Sequence, residues 1–571
     1  PLPGDEASED KDLQLNRMVL DKLIKELKLK KAGGLDRITN AVIRLIHEIN
    51  DDILYILYNK CLELKHFPNL WKRGKIKLIN KPEKDPTTVK GYRPITLLPV
   101  LGKLYEKILK LFLEKELTVH KVIDNNQFAC IKNRSTELAA EGLIRFAEDF
   151  WKKYEYVVII SFDVSGAFDN VGWSAILTIL KSKGLTNSIR MLVKKFLTER
   201  TVGHYLEDGT PIYVHNLEAG VPQGSVLGPT LFNAAFSELH RTLKKTDAKM
   251  VSYADDLALV VGCNSESGII GINEMIVQLQ NKMTELKLNF NESKTKAMLL
   301  TRRRRGKNNI ITNKNVKERL NNGLIKLHLK GILIPFNHKI KYLGVIIDEN
   351  SNFTEHTNYM IRKINKYYNM FRALYGNSYG YDFKNRLILY KGIFEAIISY
   401  CSIIYYPRLN KKSKKKILSL QRRILIGIAA GYRTISYAAI GAVTGVMPID
   451  LKLQMINEIK DLKLNKRTKQ AQSTISDYFP PSQLKKEIES NKKVDKNQMN
   501  NKEKFIKEKF LDLWSERYVI AHQGRHTYSL IPDLSKRLKT NIEINYYITQ
   551  AFTGHGKCAS YLKKFAIVDD D

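Results

Sequence analysis

The chain has 571 residues, more than a single hydrophobic core serves, so several domains are expected. Its 94 lysines and arginines against 59 acids give a formal net charge of +35, which indicates either a polyanionic partner such as nucleic acid or a lysine-rich solvated surface. Five scattered cysteines without a C-x-x-C pair argue against a disulfide framework, and no stretch reads as a membrane span.

The first part of the chain is predicted to be helical. Apolar residues recur at helical spacing over 13–29, and two more helices are expected within 38–64. We therefore interpret residues 1–66 as a helical N-terminal extension. Basic and apolar residues alternate over 74–80, which indicates a strand, and a helix is expected at 101–116.

The middle of the chain mixes strands and helices. Residues 157–163 are a β-branched apolar run that ends in an acid, and residues 250–262 are two apolar runs split by Ala-Asp-Asp, which predicts a hairpin with acids at its tip. Helices are expected at 173–184 and 188–198, with a polar hairpin at 202–215. This order favours an α+β fold over a doubly wound sheet.

The C-terminal half changes character several times. Residues 301–338 contain four consecutive arginines and are interpreted as a basic insertion and connection. A strand is expected over 340–348, followed by a mainly helical region. Residues 466–505 are rich in Lys, Gln, Ser and Asn, which is typical of a linker or of a loose helical surface. Residues 506–571 regain aromatic side chains and are interpreted as a small C-terminal module.

Two acidic elements carry the chemistry. Asp163 and Asp255 each end an apolar strand, where an isolated charge is unfavourable, and the fold must bring them together if they act as a pair. Paired carboxylates can hold two divalent ions roughly 3.5–4 Å apart, which stabilise the attacking and leaving oxygens of an in-line phosphoryl transfer. Mg²⁺ suits such a site because it prefers oxygen ligands. Either acid alone is equally well explained as a turn residue.

Three sequence motifs in succession identify a family. They are Phe162-Asp163 with Phe168-Asp169, then Gly220-Val221-Pro222-Gln223-Gly224-Ser225-Val226-Leu227-Gly228-Pro229, then Tyr253-Ala254-Asp255-Asp256. This ordered set resembles the reverse transcriptases of non-LTR (LINE-type) retrotransposons. Further segments of the same resemblance are 31–39, 67–72, 91–95, 127–136, 291–295 and 342–344.

The resemblance implies a right-hand polymerase with a helical N-terminal extension and a small C-terminal module. Fingers and palm would occupy 67–300, a primer-grip strand 339–353 and a helical thumb 354–465. Relatives carry an AP-like endonuclease before the polymerase and a Cys/His knuckle after it. The chain is therefore expected to be a core trimmed at both ends, and His555 with Cys558 is expected not to bind zinc.

The resemblance also implies a set of catalytic residues. Asp163 and Asp255 would bind two Mg²⁺ ions, with Mn²⁺ as an alternative, and the carbonyl of Val164 would assist. Asp256 would be a neighbouring catalytic acid. Lys294 would protonate the pyrophosphate leaving group as a general acid.

Five residues are implied in nucleotide binding. Lys81 and Arg93 would neutralise the triphosphate, although either could be a solvated surface cation. Phe168 would lie beneath the sugar and reject a 2′-hydroxyl, or else be a core ring. Gln223 would contact the incoming nucleotide, and Gly224 would allow a close backbone approach, where ordinary turn chemistry is the alternative.

Nucleic-acid contacts are implied in two further places. Tyr342, Leu343 and Gly344 match the primer grip. Arg422 and Arg423 in the thumb would contact the nucleic-acid backbone, with a solvated charged face as the alternative.

The function implied is RNA-directed DNA polymerisation that copies retrotransposon RNA, primed from a nicked target strand. The partners would be an RNA template, a DNA primer or nicked target DNA, and dNTPs, with no membrane and with endonuclease activity supplied from elsewhere in the full protein. The nucleus is the expected location, with assembly on RNA in the cytoplasm as an alternative.

Three other functions compete with this one. A retroviral-type enzyme is disfavoured because no RNase H acids come after the thumb, and a group II intron-type enzyme is disfavoured by the finger motifs. A catalytically dead RNA-binding scaffold should have lost a metal-binding acid, whereas Asp163, Asp255 and Asp256 are all present.

Overall fold

The computed structural model describes residues 13–81, 85–206, 209–243, 246–300, 325–372, 380–470 and 484–556. The chain divides into an N-terminal unit, residues 1–343, and a C-terminal unit, residues 344–571. The helices of the N-terminal unit are α1 Arg17–Lys25, α2 Asn40–Ile49, α3 Asp51–Glu63, α4 Val100–Val119, α5 Thr136–Lys153, α6 Ala167–Asn170, α7 Trp173–Ser182, α8 Asn187–Leu197, α9 Gly228–Thr242 and α10 Glu266–Glu285. Its strands are β1 Arg73–Asn80, β2 Tyr92–Leu97, β3 Tyr156–Val164, β4 Thr201–Tyr205, β5 Pro211–Asn216, β6 Ala248–Tyr253, β7 Asp256–Cys263, β8 Phe290–Leu300, β9 Leu327–Leu329, β10 Ile332–Ile334 and β11 Lys339–Tyr342.

A four-stranded antiparallel sheet forms the centre of the N-terminal unit, in the order β6-β7-β3-β8. Strand β3 is interior to this sheet, and residues 156–160 are all buried, as their continuous apolar run predicts. Helices α5 and α10 pack against the sheet. The hairpin expected at 250–262 is β6 and β7, so the carboxylates expected on these elements lie on one sheet.

A second sheet has the order β2-β1-β4-β5. Strands β1 and β2 are antiparallel, while β1 and β4 run parallel. Pro94 lies on β2, an edge strand of this sheet, where a missing N–H donor is tolerated. The other edge strand, β5, exposes all six of its residues.

The N-terminal helices share the hydrophobic core of the sheet rather than forming a core of their own. Buried residues of α1 to α3 belong to the same apolar cluster as the buried residues of α4 and β3. At the junction, the ring of Phe67 lies 5.3 Å from that of Tyr105 and 5.5 Å from that of Phe196, centroid to centroid. The predicted extension 1–66 is thus structurally part of the N-terminal unit.

The C-terminal unit begins with strand β12 and is otherwise helical. Its elements are β12 Val345–Asp348, α11 Thr354–Arg372, α12 Phe383–Leu389, a π-helical turn Tyr390–Glu395, α13 Ala396–Ser399, α14 Ser402–Tyr405, α15 Lys411–Ile428, α16 Tyr437–Thr444, α17 Ile449–Gln470, α18 Leu484–Val519, α19 Arg525–Leu530, α20 Leu534–Lys539 and α21 Tyr546–Thr553. Within the described ranges, no single helix meets the length and hydropathy of a bilayer span. Two bent helix pairs, Phe383–Ser399 with Ser402–Arg408 and Tyr437–Thr444 with Ile449–Lys463, do so together.

Helices and apolar cores cross the boundaries predicted between the thumb, the linker-like segment and the C-terminal module. Helix α18 runs through the expected boundary at 505/506, so residues 484–505 are helical. Trp514 of α18 packs with Ala442 of α16, and Phe510 packs with Met455 of α17. The helical alternative for the Lys- and Asn-rich segment therefore holds over 484–505, and apolar residues of the same helix complete the core of the preceding helices.

The single strand predicted over 340–348, within the primer-grip segment 339–353, is wrong. Leu343 has a φ of 45° and Gly344 a φ of 83°, left-handed values that extended backbone cannot accommodate. The segment therefore breaks into β11 and β12, and the boundary between the two units falls at this break. Residues 301–324 of the basic insertion and connection predicted at 301–338, and residue Cys558, lie outside the described residues.

We expect Phe67→Ala to lower the free energy of unfolding of the N-terminal unit by ~3–5 kcal/mol, because it leaves a cavity among packed aromatic rings. Phe67 is fully buried, whereas nearby Leu70 is 69% exposed, so Leu70→Ala is the control and should change stability little. Urea denaturation monitored by tryptophan fluorescence tests this. Equal effects of the two variants would contradict the assigned core.

Candidate active site

The pairing of β3 with β7 brings the separated acids together. In this antiparallel register Phe162 lies opposite Leu257, so the next position sets Asp163 opposite Asp256. Tyr253 pairs with Asp256 across a two-residue turn that carries Asp255. Three carboxylates from segments 92 residues apart (255 − 163) therefore meet at one end of the sheet.

The three carboxylates repel one another. Burial and the charge of Asp163 raise the pKa of Asp255, while Arg93 and Lys294 oppose that rise. Asp256 keeps some solvent contact, yet desolvation by the surrounding hairpin, together with its two acidic neighbours, raises its pKa to about 6. Ionising all three groups is thus unfavourable without a cation, as in other paired carboxylate sites.

Lys294 supplies one positive charge directly. Its Nζ lies 3.0 Å from Oδ2 of Asp163, and its side chain is 63% exposed. The contact depends on a bulge between β3 and β8, in which the register shifts from Ser161 opposite Lys296 to Asp163 opposite Asn291. Bulges commonly redirect side chains at sheet ends, and this one brings the expected general acid to the carboxylates.

The donor set fits a hard divalent cation whose coordination is completed by substrate. No group of three or more His, Cys, Asp or Glu side chains has ready metal-binding geometry in the part of the chain that the structure describes. However, Asp163 and Asp255 present oxygen donors in a place where negative charge is unfavourable, and Val164 ends the same strand as Asp163. Mg²⁺ typically takes one or two carboxylates and fills its remaining positions with water and phosphate oxygens.

The loop at 220–224 is held between two other elements. The N–H of Val221 donates to the carbonyl of Phe168 at 2.7 Å, and the N–H of Thr96 on β2 donates to the carbonyl of Gln223 at 2.8 Å. Gly224 has a φ of 116°, and a Cβ there would lie 2.6 Å from the carbonyl oxygen of Thr96. Glycine is therefore required so that the loop can join the second sheet.

Phe168 and Gln223 lie on either side of this loop contact. The ring of Phe168 is half-buried and stacks on that of Phe232, with centroids 4.6 Å apart. Nε2 of Gln223 lies 3.0 Å from both carboxylate oxygens of Asp169. Asp169 is a site residue that sequence reasoning did not single out, although it stands beside Phe168 in the same motif.

Arg93 and Lys81 lie near the same end of the β1–β2 ribbon. Arg93 pairs with Ile79 and is exposed, and its charge acts on Asp255. The N–H of Lys81 donates to the carbonyl of Gly91 at 2.7 Å, which extends the ribbon beyond β1. The structure thus brings the charge of Arg93 within range of Asp255, and the triphosphate role of Lys81 stays a prediction.

Tyr342 has a structural contact in addition to the primer-grip role implied for it. Its buried hydroxyl lies 3.2 Å from the carbonyl oxygen of Val251 and 3.4 Å from that of Asp256, so it can donate to either strand of the acidic hairpin. Leu343 comes next, at the end of the N-terminal unit, and Gly344 begins the C-terminal unit. The primer-grip role of these three residues stays a prediction.

The two thumb arginines make contacts within the C-terminal unit. Arg422 donates to the carbonyls of Ile435 at 2.8 Å and Arg433 at 2.6 Å, so its guanidinium holds a turn. Arg423 is exposed and hydrogen-bonds to the side chain of Asn365. Their contact with a nucleic-acid backbone stays a prediction. Two guanidinium nitrogens of Arg422 already donate within the unit, which leaves fewer donors for a phosphate.

Comparison with known proteins bears on this site. Residues 79–347 match the reverse transcriptase (RNA-dependent DNA polymerase) family, and this range contains every predicted site residue except the two thumb arginines. The match agrees with the α+β, right-hand polymerase class expected from sequence. A truncated apo telomerase from Candida tropicalis covers 49% of this chain and 53% of its own at 15% identity, with a TM-score of 0.35, too weak a likeness to carry an argument.

Curated relatives come from insect mobile elements. The chain is 26% identical over 549 residues to a retrovirus-related Pol polyprotein from type-1 retrotransposable element R1 of Bradysia coprophila. The aligned region covers 95% of this chain and 51% of that protein. It is 31% identical over 342 residues to the RNA-directed DNA polymerase from mobile element jockey of Drosophila melanogaster, covering 58% of this chain and 35% of that protein. The chain therefore spans about half of the R1 protein's length and about a third of jockey's.

We expect Asp256→Asn to stabilise the N-terminal unit increasingly as the pH rises. The pKa of Asp256 is raised from 3.8 to about 6 in the folded protein. Its destabilising effect is therefore absent below pH 4, grows between pH 4 and 6, and is complete above pH 6. Thermal melting in chelator-treated buffer at pH 4.5, 6 and 8 should show the difference between variant and wild type widening.

Asp149→Asn is the control for this titration. The ion pair with Lys152 lowers the pKa of Asp149, so its removal should not stabilise the unit at high pH. A difference between Asp256→Asn and wild type that stays constant with pH would contradict the raised pKa of Asp256.

Proposed function

We propose that the chain is a LINE-type reverse transcriptase, an RNA-directed DNA polymerase that copies retrotransposon RNA into DNA. The observation that carries this proposal is the meeting of Asp163, Asp255 and Asp256 at one sheet end, with Lys294 3.0 Å from the first of them. This arrangement suits nucleotidyl transfer, in which negative charge develops on the attacking and leaving oxygens.

Divalent cations are the cofactors of this family, and we propose a two-ion mechanism with Mg²⁺. Asp163 and Asp255 would hold the ions, with the carbonyl of Val164 as a further donor. When bound, such a pair lowers the energy of the 3′-oxygen nucleophile and of the departing pyrophosphate. The raised pKa values of Asp255 and Asp256 support this, because a bound dication would offset both the burial and the neighbouring negative charge that raise them.

Cationic side chains of the protein would neutralise the triphosphate and protonate the pyrophosphate. Arg93 lies within electrostatic range of Asp255 and projects from an edge strand, where it could neutralise phosphate oxygens. Lys81 would act from the neighbouring end of β1. Lys294 is mostly exposed and holds a carboxylate oxygen, so it could transfer a proton to the pyrophosphate as it leaves.

Phe168 would select deoxynucleotides. Its ring is supported from below by Phe232, which stacks in turn on Phe236 at 5.1 Å. A ring braced in this way cannot move aside easily, so a 2′-hydroxyl above it would clash. Gln223, held by Asp169, would lie beside the nascent base pair.

We also propose that the primer is a DNA strand nicked at the target, that the nick comes from an endonuclease separate from this polymerase site, and that copying takes place in the nucleus. The net charge of +35 supports binding to RNA and DNA together. The R1 and jockey relatives make mobile-element copying the process to test first.

Asp255→Asn should reduce dNTP incorporation on a primed RNA template in Mg²⁺ by at least ~100-fold, because it removes a carboxylate that would hold the cations that stabilise the reacting phosphate. The exposed Asp149→Asn is the matched control and should retain wild-type activity. Primer–template binding, measured by fluorescence anisotropy, should be unchanged in both. Binding without incorporation in the wild-type chain would favour an RNA-binding scaffold instead.

Phe168→Val should lower the preference for dNTP over rNTP by about tenfold or more, because the smaller side chain leaves room for a 2′-hydroxyl. The measurement is the ratio of kcat/KM values for the two nucleotides, which does not depend on the fraction of active enzyme. Phe236→Leu, one ring further from the sugar, is the control. An unchanged ratio in Phe168→Val would identify that ring as an ordinary core residue.

A further inference from the structure

The turn that carries Asp255 is contacted by a buried glutamine from another part of the chain. Gln127 is completely buried. Its Oε1 accepts from the N–H of Ala254 at 3.2 Å, and its Nε2 lies 3.4 Å from the carbonyl oxygen of Ala254. One side-chain amide thus meets both the donor and the acceptor of the residue that precedes Asp255.

The backbone around Gln127 reinforces this contact. The N–H of Ser252 donates to the carbonyl of Asn126 at 2.9 Å, and the N–H of Phe128 donates to the carbonyl of Ser252 at 2.8 Å. Residues 126–128 therefore run beside β6 in parallel, as a short addition to the sheet. Because both sides of the glutamine are tied to the sheet, its amide is held in register with the turn.

Arg134 fixes the same segment from the other side. Its Nη1 donates to the carbonyls of Asp124 and Asn125 at 3.0 Å each, and it also donates to the carbonyl of Gln127. Three carbonyls converge on one half-buried guanidinium, which gives the segment a rigid base. The amide of Gln127 is therefore preorganised before any substrate binds.

The contacted residue has an unusual backbone. Ala254 has a φ of 56°, in the left-handed region that residues other than glycine rarely adopt. Such a conformation persists when surrounding contacts determine it, and Gln127 provides two of them. Since Asp255 is the next residue, the backbone angles at Ala254 set the direction of its carboxylate.

We propose that Gln127 is a positioning residue for the catalytic carboxylate. It holds the turn at Ala254 so that Asp255 points at the cation, and it acts through this backbone contact without touching substrate. Only an amide supplies a donor and an acceptor at this length, so neither an apolar nor an acidic side chain replaces it. The inference rests on the proposed polymerase function for its consequence in catalysis, but not for its effect on cation binding.

The test is Gln127→Met, which keeps the length of the side chain and removes the amide. Residues that orient metal ligands without touching the metal typically contribute ~10–100-fold in metal affinity or activity. We expect the Mg²⁺ concentration for half-maximal dNTP incorporation to rise about tenfold or more. kcat should fall, while the Kd for primer–template stays within about twofold because no nucleic-acid contact is removed.

Asn233→Leu is the matched control. Asn233 is a buried amide whose Nδ2 donates to the carbonyl of Ala129 at 2.7 Å, so it supports the same segment without reaching the turn. Its removal should leave the Mg²⁺ dependence unchanged. An equal shift in both variants, or wild-type Mg²⁺ dependence in Gln127→Met, would overturn the proposal in favour of a purely structural glutamine.

A second readout separates this inference from the proposed function. Mn²⁺ binding followed by electron paramagnetic resonance needs no turnover and no fully active sample. Gln127→Met should weaken binding about tenfold or more relative to wild type. If the wild type binds Mn²⁺ but does not incorporate dNTPs, the polymerase proposal fails and the positioning role is still decided by the variant. Equal Mn²⁺ affinity in variant and wild type would refute the positioning role.

Discussion

The antiparallel pairing of β3 with β7 is the constraint on which the rest of the N-terminal unit depends. It places Asp163 opposite Asp256 and beside the turn of Asp255, an arrangement that three like charges would not adopt unaided. Only one register of these strands keeps their apolar side chains buried, and that burial stabilises the pairing. Hydrophobic burial along the strands thus maintains an unfavourable electrostatic arrangement at their ends.

The elements around the acids compensate for this repulsion in two ways. Lys294 and Arg93 supply charge, the first through a bulge in β8 and the second from the edge of another sheet. Gln127 and Tyr342 supply no charge but hold the hairpin backbone, from separate segments of the chain. Charged groups from two sheets therefore offset the carboxylates, and neutral hydrogen-bonding groups hold the acidic hairpin in place.

Much of this could be predicted from the sequence, because β3 and the β6–β7 hairpin are apolar runs with acids at their ends. The ordered motifs, through the family resemblance, predicted the other residues of the acidic site. The contacts of Gln127 and Asp169 could not be predicted in the same way, because a buried amide leaves no periodic signal and its partner is distant in sequence. The break at Leu343 and Gly344 was missed since backbone angles are invisible in an apolar run.

In the C-terminal unit, a polar composition conceals how the helices share their cores. Helix α18 contributes Trp514 and Phe510 to cores that α16 and α17 begin, so the predicted thumb and the predicted C-terminal module are halves of one folded body. The two halves could therefore not be exchanged separately between the proteins of related mobile elements. In recombination or in chimera design they would have to move together, and their facing apolar residues are expected to drift as a coupled set.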